Sequence, residues 1–93
     1  MFDLTGKTAL VTGASGGIGV SIAKALHAQG ATVGIHGTRE ERLAEIAAEM
    51  GDRVHIFPAS MSDPEAVAEL GQKAEEELGG LNILVNNAGI TRD

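Results

Sequence analysis

Four glycines follow a short apolar segment near the start of this 93-residue chain. Gly13, Gly16, Gly17 and Gly19 come after residues 8–11, and helical periodicity begins at Gly17. A glycine-rich turn between a strand and a helix leaves backbone N–H groups bare at the positive end of the helix, where a pyrophosphate can bind. The spacing therefore predicts a nucleotide-binding loop.

A phosphate loop of the Walker type is the nearest alternative. Such a loop ends in Gly-Lys-Ser or Gly-Lys-Thr, whereas this one continues as Gly-Val-Ser at residues 19–21. The glycines also lie within a strand–helix–strand unit of about 30 residues, the setting of a dinucleotide fingerprint. The loop therefore favours a dinucleotide.

Few other side chains could do chemistry. The chain has no cysteine, which excludes disulfides, zinc–thiolate sites and thiol nucleophiles. Its three histidines, His27, His36 and His55, lie on separate predicted elements, without paired carboxylates at metal-ligand spacing. We predict no metal site and no general base, and we expect surface or strand-edge positions for these histidines.

Charge and hydropathy exclude two classes of partner. The net charge of −6 argues against nucleic acid, because a phosphate backbone requires a face rich in Lys and Arg. The apolar runs are far shorter than the roughly 20 residues that span a bilayer, and the N-terminus lacks a basic start and an apolar signal core. We expect a cytoplasmic protein with no nucleic-acid and no membrane partner.

The elements that position the loop alternate along the chain. Short apolar segments at 8–11, 31–36, 53–57 and 81–85 predict four strands of the kind buried on both faces. Between them lie three segments with apolar residues at helical spacing. Their stripes are Ile18, Ile22, Ala25 and Leu26 in the first, Leu43, Ile46, Ala47 and Met50 in the second, and Val67, Leu70, Gly71, Ala74 and Leu78 in the third.

Glycine and proline mark the helix boundaries. Gly30 and Gly51 are predicted to end the first two helices, and residues 79–80 the third. Pro64 suits the first helical position of the third helix, and Ser62 with Glu65 also fits a capping box.

Right-handed crossovers convert this alternation into a parallel sheet with helices on both faces. We predict an α/β fold, a Rossmann-type doubly wound sheet in the sequence β-α-β-α-β-α-β with strand order 3-2-1-4, incomplete at this length. Residues 1–93 are expected to form the N-terminal dinucleotide-binding part of a single domain.

Two motifs together resemble the short-chain dehydrogenase/reductase family. They are Thr-Gly-x-x-x-Gly-x-Gly at residues 12–19 and Asn-Asn-Ala-Gly at residues 86–89. The three-residue gap after the first glycine distinguishes the loop from the ordinary Gly-x-Gly-x-x-Gly fingerprint. Residues 6–15 and 82–93 look most like the bacterial 3-oxoacyl-acyl-carrier-protein reductases of fatty acid synthesis, and the likeness covers the whole chain.

The resemblance implies a set of cofactor-binding residues. Gly19 would let helix and strand pack closely, and a side chain at Gly13 or Gly17 would hold a diphosphate away from the amides. The residues implied are Gly13, Ser15, Gly17, Ile18 and Gly19 at the pyrophosphate and ribose, Ser60 and Met61 at the adenine, and Asn86, Ala88 and Gly89 beside the ribose.

The end of the second strand bears on the choice of cofactor. An NAD site usually places Asp or Glu against the ribose hydroxyls about 20 residues after the loop, but nothing acidic lies between Ala31 and Thr38. Thr38 and Arg39 instead offer a hydroxyl and a guanidinium, which suit a 2′-phosphate. We therefore predict NADP(H).

The resemblance also implies the reaction. Family members reduce a carbonyl by hydride transfer, with the proton supplied by a tyrosine of an Asn-Ser-Tyr-x-x-x-Lys set that lies C-terminal to this region. The present 93 residues contain no tyrosine, so we expect them to be inactive alone. The complete protein is expected to reduce 3-oxoacyl groups on acyl carrier protein with NADPH and to form a homo-oligomer.

Two alternatives remain open at this point. One is a short-chain dehydrogenase that acts on another alcohol or ketone, such as a sugar or a steroid. The other is a non-enzymatic nucleotide-binding or assembly module.

Overall fold

Four strands and three helices alternate in the structure, a computed structural model that describes residues 3–14, 16–59 and 64–87. All neighbouring strands are parallel, in the order β3-β2-β1-β4. The predicted α/β fold, with its Rossmann-type doubly wound sheet and its strand order, is thereby confirmed. The elements are β1 (Thr8–Thr12), α1 (Gly17–Ala28), β2 (Thr32–Gly37), α2 (Glu40–Met50), β3 (Val54–Pro58), α3 (Pro64–Leu78) and β4 (Ile83–Asn86).

Every strand ends one residue beyond the end that its apolar pattern predicts. The added residues are Thr12, Gly37, Pro58 and Asn86, and they pair across the sheet as Thr12 with Asn86 and Gly37 with Pro58. A strand ladder is made by backbone N–H and C=O groups, so it continues past the last apolar side chain. The residues that follow the apolar runs are therefore part of the sheet.

The helix boundaries follow the predicted glycines and proline. Gly30 lies just after α1 and Gly51 caps α2, both with a positive φ that favours glycine (+107° and +89°). The third helix begins at Pro64, as predicted. Ser62, which pairs with Glu65 in the predicted capping box, lies outside the described residues.

The hydrophobic core fills both faces of the sheet. Because successive side chains of a strand point to opposite faces, the neighbours Leu10 and Val11 enter different clusters. The cluster under α1 and α2 contains Val11, Ala14, Ala23, Ala31, Val33, Ile35, Leu43 and Ile46, and the cluster under α3 contains Leu10, Phe57, Leu70 and Ala74. The helices thus cover the two faces unequally.

Helix α1 buries a stripe that differs from the predicted one. Ile18 is 71% exposed and Ala25 is exposed as well, while Gly19 and Ala23 are the buried residues of the helix. The prediction was wrong for Ile18 and Ala25 because apolar spacing alone does not show which face of the helix must come close to the backbone of the sheet. Here the face with the smallest side chains does so.

One glycine of β2 makes room for an aromatic ring. A Cβ on Gly34 would lie 2.7 Å from Cε2 of Phe57 and 3.3 Å from Cδ1 of Leu10, both buried in the cluster under α3. A separation of 2.7 Å is well inside van der Waals contact, so a Cβ on Gly34 would overlap the ring.

We predict that Gly34→Ala lowers the free energy of unfolding by about 1–3 kcal/mol, because the Phe57 ring must shift to admit the methyl group. Urea denaturation of the full-length protein measures this. Gly71→Ala, in helix α3, is the matched control, since a Cβ there meets no atom of the described residues within 4 Å. This control should raise the unfolding free energy by about 0.5–1 kcal/mol, and equal effects at the two sites would contradict the packing argument.

Candidate functional site

Polar residues gather at the carboxyl ends of three neighbouring strands. Thr12 ends β1, His36 lies one residue before the end of β2, and Asn86 ends β4. Strand β1 lies between β2 and β4, and the helices that follow β1 and β3 pack on opposite faces of the sheet. The chain that leaves β1 therefore opens onto the topological switch point, where doubly wound sheets bind their ligands.

The loop from β1 to α1 is packed closely against the first turn of the helix. Gly13 has φ +65°, in the left-handed region. A Cβ on Gly19 would collide with the Gly13 carbonyl oxygen and would lie 2.7 Å from Cα of Ala14. Only glycine allows helix and loop to come so close, in agreement with the close packing that the family resemblance implies at Gly19.

The first turn of α1 is exposed and has no side-chain cap from the described residues. Gly16 is the N-cap residue, its backbone is extended, and the first turn contains no acidic residue. Gly16, Gly17 and Ile18 are exposed, and a Cβ on Gly17 would meet no atom of the described residues within 4 Å. The first N–H groups of a helix have no partner inside the helix, so this turn can donate hydrogen bonds to an anion.

Strand β4 is tied to β1 and to the glycine loop through side chains. The single proton of the Thr12 hydroxyl can be donated to Oδ1 of Asn86, 3.1 Å from Oγ1, or to the Val85 carbonyl, 3.3 Å from it. Asn87, which is 4% exposed, donates from Nδ2 to the Gly13 carbonyl at 3.1 Å. The sequence prediction included Asn86 but missed the parts played by Thr12 and Asn87. The doubled asparagine at a strand end was the available signal.

His36 occupies a buried position, not the surface or strand-edge position predicted for the three histidines. It is 2% exposed in β2, which has a strand on each side. Its Nδ1 accepts a hydrogen bond from the Gly13 N–H at 3.2 Å, and its Nε2 lies 2.9 Å from the Ala59 carbonyl oxygen. A carbonyl can only accept, so Nε2 carries the proton and the ring is in a single neutral tautomer. Burial lowers the pKa of His36, although the hydrogen bond to Ala59 opposes the shift.

Thr38 and Arg39 lie between β2 and α2, and both are exposed. Arg39 is the N-cap residue of α2, makes no side-chain capping bond, and forms no ion pair within the described part of the chain. Arg42, by contrast, contacts Glu45 at 3.3 Å. Arg39, Glu41, Arg42 and Glu45 line a shallow depression of about 160 Å³. The Arg39 guanidinium is thus available to an external anion.

Part of the predicted residue set lies at one edge of the sheet. Gly13, Gly17, Ile18 and Gly19 follow β1, Thr38 and Arg39 follow β2, and Asn86 ends β4. Five predicted residues lie outside the described residues, namely Ser15, Ser60, Met61, Ala88 and Gly89. The segment that leads to Ser60 is fixed through Ala59, whose N–H donates to the Gly37 carbonyl at 3.0 Å.

Residues 3–14, 16–59 and 64–87 contain no group of three His, Asp or Glu side chains that could hold a metal ion. No helix in them has the length and apolar character of a bilayer-spanning segment.

We predict that stability falls as the pH drops below about 6.5, the ordinary pKa of histidine. Above that pH His36 is neutral in both folded and unfolded chains, so it adds no pH dependence. Below it the unfolded chain binds a proton that the buried ring does not bind, and the folded state loses stability until the pH reaches the lowered pKa. Urea denaturation between pH 5 and pH 8 checks this.

His36→Gln provides the comparison for that measurement, because it leaves His27 and His55 unchanged. The variant should lose the part of the pH dependence that belongs to the buried ring. Identical pH profiles for the two proteins would contradict the assignment to His36.

Comparison with known proteins identifies the family. Residues 7–93 match the family described as short chain dehydrogenase. Nodulation protein G of Rhizobium sp. (strain N33) is 67% identical over 93 residues, which are 100% of this chain and 38% of that protein. A 3-oxoacyl-(acyl-carrier-protein) reductase of Rickettsia conorii (strain ATCC VR-613 / Malish 7) is 47% identical over 93 residues, which are 100% of this chain and 37% of that protein.

A solved structure shows the same fold. The crystal structure of 3-ketoacyl-(acyl-carrier-protein) reductase from Brucella melitensis complexed with NADH superposes with a TM-score of 0.81 at 33% sequence identity. The match covers 88% of this chain and 34% of that one. The chain spans less than two fifths of the length of these relatives. With the family match over residues 7–93, these similarities show that the chain belongs to the short chain dehydrogenase family.

Proposed function

We propose that this chain binds the pyrophosphate and ribose of a nicotinamide dinucleotide at the loop between β1 and α1. The observation that carries the proposal is the close approach at Gly19, which brings the open first turn of α1 to the end of β1. A phosphate placed there accepts hydrogen bonds from N–H groups at the positive end of the helix. The NADH bound to the Brucella melitensis relative supports this class of ligand.

The proposed site is made by the ends of successive strands within one domain, of which residues 1–93 are the N-terminal dinucleotide-binding part. Gly17, with open space around its Cα, leaves the helix terminus accessible to the diphosphate. The residues proposed to contact the cofactor are Gly13, Ser15, Gly17, Ile18, Gly19, Thr38, Arg39, Ser60, Met61, Asn86, Ala88 and Gly89.

NADP(H) is the proposed form of the cofactor. Arg39 is exposed and forms no ion pair within the described residues, and Thr38 beside it adds a hydroxyl. No acidic side chain lies between Ala31 and Thr38 to contact the two ribose hydroxyls of NAD. A guanidinium at this corner suits a 2′-phosphate, to which it can donate two parallel hydrogen bonds.

The whole protein is proposed to reduce 3-oxoacyl groups on acyl carrier protein. The 47% identity to a reductase of that name and the fold shared with a second one support this substrate class. The dinucleotide supplies the hydride when bound. The residues of this chain hold its diphosphate, orient the ribose beside β4 and compensate the charge of the 2′-phosphate. The tyrosine that donates the proton in the family is not among these 93 residues.

Arg39→Ala tests the choice of cofactor. In the full-length protein it should weaken NADPH binding by about 1–3 kcal/mol, because a charge-assisted contact is lost, and leave NADH binding unchanged. Fluorescence titration of both dinucleotides gives the two dissociation constants. Arg42→Ala is the control, since Arg42 lies in the same depression but contacts Glu45. An unchanged ratio of NADPH to NADH affinity in Arg39→Ala would show that Arg39 does not read the 2′-phosphate.

The substrate class is tested by the activity of the full-length protein. We expect NADPH oxidation to be faster with acetoacetyl-acyl carrier protein than with free sugars, steroids or small ketones, because the relatives that support the proposal act on carrier-bound acyl groups. Absorbance of NADPH follows the reaction. Faster turnover of a free ketone would favour a different alcohol or ketone as the substrate, while dinucleotide binding with no turnover of any of them would favour a binding module.

A further inference from the structure

The buried ring of His36 connects the two loops that flank the proposed dinucleotide site. On one side its Nδ1 accepts the N–H of Gly13, the first residue after β1. On the other side its Nε2–H donates to the carbonyl of Ala59, the first residue after β3. The main chain of His36 adds a third connection, because its carbonyl accepts the N–H of Ala14 at 2.7 Å.

Gly13 is hydrogen-bonded to buried side chains at the ends of both neighbouring strands. Its N–H is bound by His36 of β2, and its carbonyl is bound by Asn87, which directly follows β4. Glycine at φ +65° is otherwise the most permissive point of the loop, since it has no Cβ to restrict rotation. These two hydrogen bonds therefore restrict the orientation of the peptide groups on either side of Gly13.

An apolar side chain would fill the same space without the cost of burying an imidazole. A buried polar ring is favourable only when both of its nitrogens have partners, and here both partners are main-chain groups at the ends of other strands. A ring that served only to fill space would not need this match. The geometry therefore links His36 to the position of the loop.

We propose that His36 is a positioning residue for dinucleotide binding, which holds the Gly13 peptide in the orientation that the diphosphate requires. This inference rests on the proposed function of the loop. His36 itself does not touch the cofactor. It acts through Gly13, and the bond to Ala59 keeps the ring in the tautomer that leaves Nδ1 free to accept.

A pair of substitutions separates the two bonds of the ring. In His36→Asn the side-chain oxygen can take the place of Nδ1 and accept from Gly13, while the bond to Ala59 is lost. In His36→Gln the longer amide can reach toward Ala59, while the acceptor beside Gly13 is lost. Each variant removes one buried hydrogen bond, so urea denaturation should show similar losses of stability.

The affinity for NADPH, measured by fluorescence titration of the full-length proteins, should separate the two variants. We expect His36→Asn to bind within about threefold of the wild type and His36→Gln to bind about tenfold more weakly, the effect of losing one hydrogen bond that orients the loop. Equal affinities in the two variants would overturn the inference and assign the ring a role in stability alone. A wild-type protein that binds no dinucleotide would instead overturn the proposed function, and this inference with it.

A second measurement on the wild-type protein covers the case in which a variant does not fold. The ¹⁵N signals of the three histidine rings are recorded with and without NADPH. The His36 signals should show a proton on Nε2. They should also shift when NADPH binds, because the ring contacts the Gly13 peptide, whose surroundings change on binding. His27 and His55 are internal controls, since they contact the Asp52 carbonyl and Glu77. His36 signals that do not respond to bound NADPH would overturn the inference.

Discussion

The contact of Gly19 with the main chain of Gly13 and Ala14 controls the geometry of this edge of the molecule. It brings the first turn of α1 so close to the end of β1 that a Cβ at this position would not fit. Because the helix is fixed there, its smallest side chains face the sheet, and Ala23, one turn later, is fully buried. Ile18 is carried to the outside by the same rotation, at the open end of the helix.

Buried polar side chains occur at this edge for a related reason. The buried polar residues of the described chain are Thr12, His36 and Asn87, and each makes a hydrogen bond to a group at the end of a neighbouring strand or in the glycine loop. No buried side-chain nitrogen or oxygen in the described residues lacks a partner. Polar groups in an apolar interior are tolerated when their bonds are complete, and complete networks make the surrounding backbone rigid. The loop is therefore built on a stiff support even though its own residues are small.

Polar side chains at the amino ends of the strands have a different role. Thr8 at the start of β1 donates from its main-chain N–H to Oδ1 of Asn82 and from its hydroxyl to the Gly80 carbonyl. Arg53, with φ +57°, donates to the Ala31 carbonyl at 2.7 Å. These hydrogen bonds hold together the segments that lead into the strands. Exposed groups that can reach a ligand, such as the first turn of α1 and Arg39, lie at the carboxyl edge, where a doubly wound sheet opens.

Short-range patterns were sufficient to predict the elements and the strand order, and the family resemblance implied the close packing at Gly19. Apolar runs, helical spacing and the glycines and proline at the boundaries act over a few residues, and right-handed crossovers leave few arrangements of the resulting units. Such patterns could not predict the burial of His36 or the contact made by Asn87. Their partner Gly13 is 23 residues from His36 and 74 from Asn87 along the chain, so these bonds exist only once the strands are side by side. The face that α1 buries depended on the folded chain in the same way, because apolar spacing defines a stripe, whereas the approach of backbone to backbone at Gly19 selects the side of the helix that can fit.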